Sequence, residues 1–158
     1  MHSDRLQDCL KFKLETTLPL LAKKLPKKDY VVISPDKGGA KRATYIAEML
    51  KAPIYVISKK RDGHKITMSF NEQLPKKPVL IVDDMISSGT TLIKAAEILK
   101  AQGITEIYAI AAHGLFINNA KQKLKDAGFK QIIVANTLPV IAEGIVDVVD
   151  IKPLLMVH

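Results

Sequence analysis

The stretch Val79-Leu80-Ile81-Val82-Asp83-Asp84-Met85-Ile86-Ser87-Ser88-Gly89-Thr90-Thr91 decides how this chain is read. Four consecutive apolar, mostly β-branched residues predict a strand buried on both faces. Two carboxylates follow, then a turn of small residues. A helical stripe of Leu92, Ala95, Ala96 and Leu99 follows the turn, with Gly103 as its C′ stop. The order is strand, acidic pair, small loop, helix. Each part has a chemical use. Ser87 to Thr91 offer backbone N–H groups and hydroxyls that can wrap a phosphate, and the helix aims its positive end at the same anion. Gly89 permits close backbone approach. Asp83 and Asp84 can accept hydrogen bonds from the vicinal hydroxyls of a sugar, or bind Mg²⁺ directly or through water. The combination reads as a sugar-phosphate site; the bland reading of the same residues is a capped helix behind a solvated acidic turn.

The same rhythm continues to either side. Tyr30–Ser34, Ile54–Ile57, Ile107–Ile110 and Ile132–Val134 are further short apolar runs. Helical patterns separate them: Leu14, Leu18, Leu21 and Leu25 on one face, Ala43 to Leu50, and a segment capped by Asn118 or Asn119 that ends near Gly128. Strands alternating with helices predict an α/β fold, a mainly parallel twisted sheet flanked by helices on both faces. Lys59 to Lys77 is long, polar and basic, and reads as a loop or hairpin. Thr137 to His158 holds strand-like pieces without a clear long helix.

Composition narrows the function classes. The chain has 158 residues, 47% hydrophobic and 25% charged, which fits one globular domain over 1–158. No apolar run is long enough to span a bilayer, so no membrane partner is expected. A single cysteine, Cys9, suits a reducing compartment, and the cytoplasm is the expected location. Twenty-four basic against sixteen acidic residues leave a net charge of +8, which calls for an anionic partner. Aromatic residues are 5% and tryptophan is absent, which argues against base stacking and so against nucleic acid.

The segment Val82–Thr91 resembles the ribose-5-phosphate loop of the ribose-phosphate diphosphokinases (phosphoribosyl pyrophosphate synthetases), a family with the type I phosphoribosyltransferase fold. Val31-Val32-Ile33-Ser34-Pro35-Asp36-Lys37-Gly38-Gly39-Ala40-Lys41-Arg42-Ala43 is similar to the family's pyrophosphate loop. Its own chemistry agrees: Gly38-Gly39 before a helix offers donors to a diphosphate, Asp36 can bind Mg²⁺, and Arg42 can neutralise phosphate charge. Ile57-Ser58-Lys59-Lys60-Arg61 resembles the start of the catalytic loop, which implies Lys59 and Arg61 as the catalytic cations. Ala111–Phe116 with Asn119-Ala120, and Asn136–Pro139, resemble later family segments; His113 either lines the site or is a structural histidine. His2-Ser3-Asp4-Arg5-Leu6-Gln7 is similar to the segment leaving the first domain, where the resemblance implies His2 as a ligand of Mg²⁺–ATP.

The resemblance runs from His2 to about Pro153, and it matches only the C-terminal half of a two-domain enzyme. The implied half that binds most of ATP has no counterpart here. Four local departures stand out. Ser87 replaces a frequent aspartate, Thr90 a common glycine and Lys37 a small apolar residue, and the Lys59–Lys77 segment is short. The implied activity is transfer of diphosphate from ATP to ribose 5-phosphate, with Mg²⁺ as cofactor and a homo-oligomer as assembly. Two other functions fit the residues. One is a stand-alone phosphoribosyltransferase that consumes phosphoribosyl pyrophosphate; the other is a non-catalytic regulatory homologue.

Overall fold

In a computed structural model, the structure describes residues 17–152. They contain eight strands and four helical segments. Helix α1 is described over residues 17–22. It is followed by β1 (Val31–Ser34), α2 (Ala40–Leu50) and β2 (Ile54–Val56). Next come β3 (Ser58–Asp62), β4 (Lys65–Ser69), β5 (Val79–Ile86) and α3 (Thr90–Ala101). The chain then forms β6 (Ile107–Gly114), α4 (Ala120–Asp126), β7 (Phe129–Ala135) and β8 (Val146–Val149).

Six strands form one sheet in the order β2-β1-β5-β6-β7-β8, and every pairing in it is parallel. Continuous apolar strands are what a sheet covered on both faces requires, because successive side chains point to opposite sides. Val31, Ile33, Val79, Ile81, Ala109, Ile132 and Val134 face α3, α4 and the β3–β4 hairpin. Val32, Leu80, Val82, Ile110, Ile133 and Ala135 face the other way, onto α1 and α2. Leu80, Ile81, Ile107 and Ile110 are fully buried, and each contributes about 1.5–3 kcal/mol through burial.

After β1 the chain builds outward to β2, then returns past β1 to begin β5 on its other side. The connections therefore leave the sheet in opposite directions at the β1/β5 boundary. In open parallel sheets such a reversal opens a crevice at the carboxyl ends of the strands, where ligands bind. The pyrophosphate-like loop follows β1, and the acidic pair ends β5.

The predicted elements are present with shifted bounds. The second strand run is continued at Ile57, whose N–H bonds Ser34 O at 2.9 Å. Gly103 is the C′ residue of α3 with φ +82°, and its N–H bonds Lys100 O at 2.8 Å. The Lys59–Lys77 segment contains the antiparallel β3–β4 hairpin, and the C-terminal stretch contains β8. One bound and one reading change. The strand that the run Val79–Val82 marks is longer: Asp83 and Asp84 belong to β5 itself, because parallel pairing with β6 continues as far as Ile86↔Gly114. Asn119 occupies the N-cap of α4 but makes no side-chain capping bond, and its φ of +60° departs from the extended conformation a capping side chain uses. Leu14, Cys9 and the His2–Gln7 segment lie outside the described residues.

Candidate sugar-phosphate site

The loop after β1 is held from within. Ser34 Oγ donates to Asp36 O at 2.6 Å, and Gly39 N–H donates to Asp36 Oδ1 at 2.8 Å. These bonds close Pro35–Gly39 into a turn at the start of α2. A Cβ on Gly39 would sit 3.0 Å from Ser34 Oγ, so the turn is built around a residue without a side chain. One turn into α2, Arg42 reaches across the β1/β5 boundary, with Nη2 3.5 Å from Asp84 Oδ2. Arg42 Nε is buried with no hydrogen-bond partner among the described residues.

On β5 the two carboxylates are unequal. Asp84 points to the Arg42 side and is half exposed. Asp83 is pushed up to about 7, first by burial, then by the neighbouring Asp84 and Asp36 carboxylates; the Asp84 N–H, 2.8 Å from Asp83 Oδ1, opposes the shift. Asp36 and Asp83 thus feel each other across the crevice. Among the described residues no three or more His, Cys, Asp or Glu side chains converge into a metal cage. Mg²⁺ does not require one, since it is commonly held by one or two carboxylates together with substrate phosphates and water. Asp83 lies near both Asp84 and Asp36 without the three forming such a cage.

The small loop after β5 turns at Gly89, whose φ is +78°, and a Cβ there would press Leu124 of α4 at 3.2–3.3 Å. Ser88 and Thr90 share a hydroxyl–hydroxyl bond of 2.9 Å. Helix α3 starts at Thr90, so its N-terminal end closes the loop.

The hairpin brings one cation, Lys59, to this loop. Lys59 Nζ donates to Thr91 Oγ1 at 3.1 Å, which places it at the phosphate-type loop. A residue missed by sequence reasoning makes that possible: Lys94 Nζ, on α3, donates to Ile66 O of β4 at 2.7 Å and ties the hairpin to the helix. Arg61 lies farther out on β3, opposite Ile66, and is exposed; the structure does not bring it to the carboxylates. Lys37 is exposed on the turn after β1. His113 shares a 2.6 Å bond between Nδ1 and Thr137 Oγ1, and Thr137 Oγ1 also donates to Ala112 O at 3.1 Å. A hydroxyl has one proton, so Nδ1 carries the hydrogen that Thr137 accepts. His113 therefore ties β6 to the segment after β7.

Part of the positive charge lies elsewhere. Lys28 pairs with Glu106 at 2.7 Å and Lys77 with Asp29 at 2.6 Å, before the starts of β1 and β5. These lysines are at the end of the sheet opposite the crevice.

Residues 64–156 match the family described as the phosphoribosyl synthetase-associated domain. The chain belongs to that family. Among relatives, the ribose-phosphate pyrophosphokinase of Caldanaerobacter subterraneus subsp. tengcongensis is 34% identical over 96% of this chain and 51% of its own length. That of Mycoplasma genitalium is 43% identical over 73% of this chain and 36% of its own. The chain thus spans about half the length, or less, of these curated relatives. The phosphoribosylpyrophosphate synthetase structure from Mycobacterium smegmatis superposes with a TM-score of 0.71 at 32% identity, over 81% of this chain and 43% of that one. A purine phosphoribosyltransferase from Pyrococcus horikoshii, at 23% identity and a TM-score of 0.57, shares the fold. The expected α/β phosphoribosyltransferase-like architecture of this phosphoribosyl synthetase family member is borne out.

Proposed function

We propose that this chain is the sugar-phosphate half of a ribose-phosphate diphosphokinase, a single domain over 1–158 that moves diphosphate from ATP to ribose 5-phosphate. One observation carries the reading. The Gly38–Gly39 turn, the Asp83–Asp84 pair and the Ser87–Thr91 loop meet at the β1/β5 reversal, with Arg42 3.5 Å from Asp84.

On this reading Ser87, Ser88, Gly89, Thr90 and Thr91 hold the 5-phosphate, and Asp83 and Asp84 hold the ribose hydroxyls. Asp36, Gly38, Gly39 and Arg42 receive the diphosphate. The anomeric hydroxyl attacks the β-phosphorus of ATP, the bond to the α-phosphate oxygen breaks, and AMP leaves with that oxygen. Lys59 and, by the resemblance alone, Arg61 stabilise the charge on the transferred group. Bound Mg²⁺, held by Asp36 and substrate oxygens with His2 toward ATP, would supply charge neutralisation on the diphosphate. Positioning and electrostatics account for such a reaction without a covalent intermediate. Self-association and a cytoplasmic location belong to the same proposal. Among the described residues no helix is long and apolar enough to cross a membrane.

Calorimetry with ribose 5-phosphate, phosphoribosyl pyrophosphate and ATP, each with Mg²⁺, tests the reading. Ribose 5-phosphate and phosphoribosyl pyrophosphate should bind. ATP should bind weakly, with little turnover by these 158 residues alone, because the relatives are about twice as long. Failure to bind ribose 5-phosphate overturns the proposal; phosphoribosyl transfer to a nucleobase would replace it with the transferase reading.

A further inference from the structure

Residues 115–117, just past β6, bond to the last residue of β5 and the first residue of the small loop that follows it. Leu115 N–H donates to Ile86 O at 2.8 Å, Phe116 N–H points to the same oxygen at 3.4 Å, and Ile117 N–H donates to Ser87 O at 3.1 Å. All peptide bonds here are trans. In a trans peptide the carbonyl of one residue and the N–H of the next point in opposite directions. Anchoring Ile86 O and Ser87 O on the β6 side therefore turns Ser87 N–H and Ser88 N–H to the β1 side. There β1 stops pairing at Ile33↔Ile81, so no strand covers them. Neither amide has a backbone acceptor among the described residues. Two successive N–H groups turned to that side, with no backbone acceptor among the described residues, are positioned to donate to an anion.

The anchoring turn is built at a conformational cost. Phe116, Asn118 and Asn119 have φ of 50°, 55° and 60°, a region side chains disfavour. A Cβ on Gly114 would lie 2.5 Å from Phe116 Cε2, so the Phe116 ring folds back over a position only glycine leaves open. Leu124, on the helix that follows the turn, supports Gly89 from below.

We infer that Leu115–Ile117 is a peptide-plane lock, a positioning element that sets the Ser87 and Ser88 N–H groups toward the sugar phosphate. It rests on the reading of Ser87–Thr91 as the phosphate loop. The lock predicts an effect for a backbone atom outside the loop, not for a side chain in it.

The test replaces Ile117 in the full chain by its α-hydroxy acid, which keeps the side chain and removes only the N–H. The probes are ribose 5-phosphate and inorganic phosphate. Calorimetric affinity for both should fall roughly fivefold, the scale of one lost hydrogen bond. The downfield movement of the Ser87 and Ser88 amide protons on phosphate addition should shrink with it. Gly114→Ala, which displaces Phe116, should do the same, while Ile117→Val should retain wild-type binding. A lower melting temperature with unchanged affinity and unchanged amide shifts would show an ordinary structural turn and overturn the lock alone. Absence of binding by the unaltered chain overturns the reading of the site, and the lock with it.

Discussion

Arg42 on α2 and Asp84 on β5 meet at 3.5 Å across the boundary where the sheet connections reverse. One guanidinium thus joins the loop after β1 to the strand that carries the acidic pair. Its side chain is 27% exposed and that of Asp84 48%, so the pair is solvated enough to contribute less than about 1 kcal/mol to stability. Its Nε is buried without a hydrogen-bond partner among the described residues, which subtracts from any gain. Arg42→Met should therefore shift the urea midpoint little, or upward. Affinity for diphosphate with Mg²⁺ should fall about tenfold, as charge-assisted bonds to phosphate are lost. Diphosphate affinity equal to wild type would remove Arg42 from the site.

Asp83 titrates near 7 because burial, then the adjacent carboxylates, favours its protonated form. The folded state holds this proton more tightly than the unfolded chain does. The stability it contributes is full below the ordinary aspartate range, near 4, and is lost as pH rises through 7. Asp83→Asn should remove that slope and leave the protein more stable than wild type at pH 8. Urea unfolding at pH 5 and pH 8 checks this; parallel pH profiles for the two proteins would rule out the shift.

Gly89 combines a left-handed backbone with contact to Leu124. Gly89→Ala should cost about 1–2 kcal/mol from backbone conformation alone, and lower phosphate affinity as the loop moves. Adding Leu124→Ala opens space for the new methyl group. The double variant should be less destabilised than the sum of the single changes, since residues in contact do not act additively. Strict additivity in denaturant melts would place Leu124 away from the loop.

Lys59 and Arg61 share a strand but not a position. Lys59 touches Thr91 at 3.1 Å, whereas Arg61 is exposed farther along the hairpin. Lys59→Ala should weaken ribose 5-phosphate binding several-fold. Arg61→Ala should leave that binding unchanged and affect only ATP-dependent transfer. Equal losses of sugar-phosphate affinity would contradict the placement of the hairpin.

Much of this architecture is legible along the chain. The runs at Val31, Val79, Ile107 and Ile132 mark strands buried on both faces, and Gly103 marks the end of α3. Local rules suffice there, because side-chain alternation and helix termination depend on neighbouring residues. Legibility fails where a property depends on register. The apolar run marks a strand only as far as Val82, yet pairing with β6 carries it through Asp83 and Asp84 to Ile86. Asn119 has the residue type of a cap but not the backbone conformation for one.

By itself the sequence determined the alternating α/β grammar and the strand–carboxylate–loop–helix unit, since periodicity and turn chemistry are written locally. Only the tertiary structure decided the reversal at β1/β5, the Arg42–Asp84 pairing, the Lys94 tie that brings Lys59 to Thr91, and the bonds from residues 115–117 to Ile86 and Ser87. Those partners are tens of residues apart in the chain. They meet because the packed strands impose one order and one register, which no local pattern specifies.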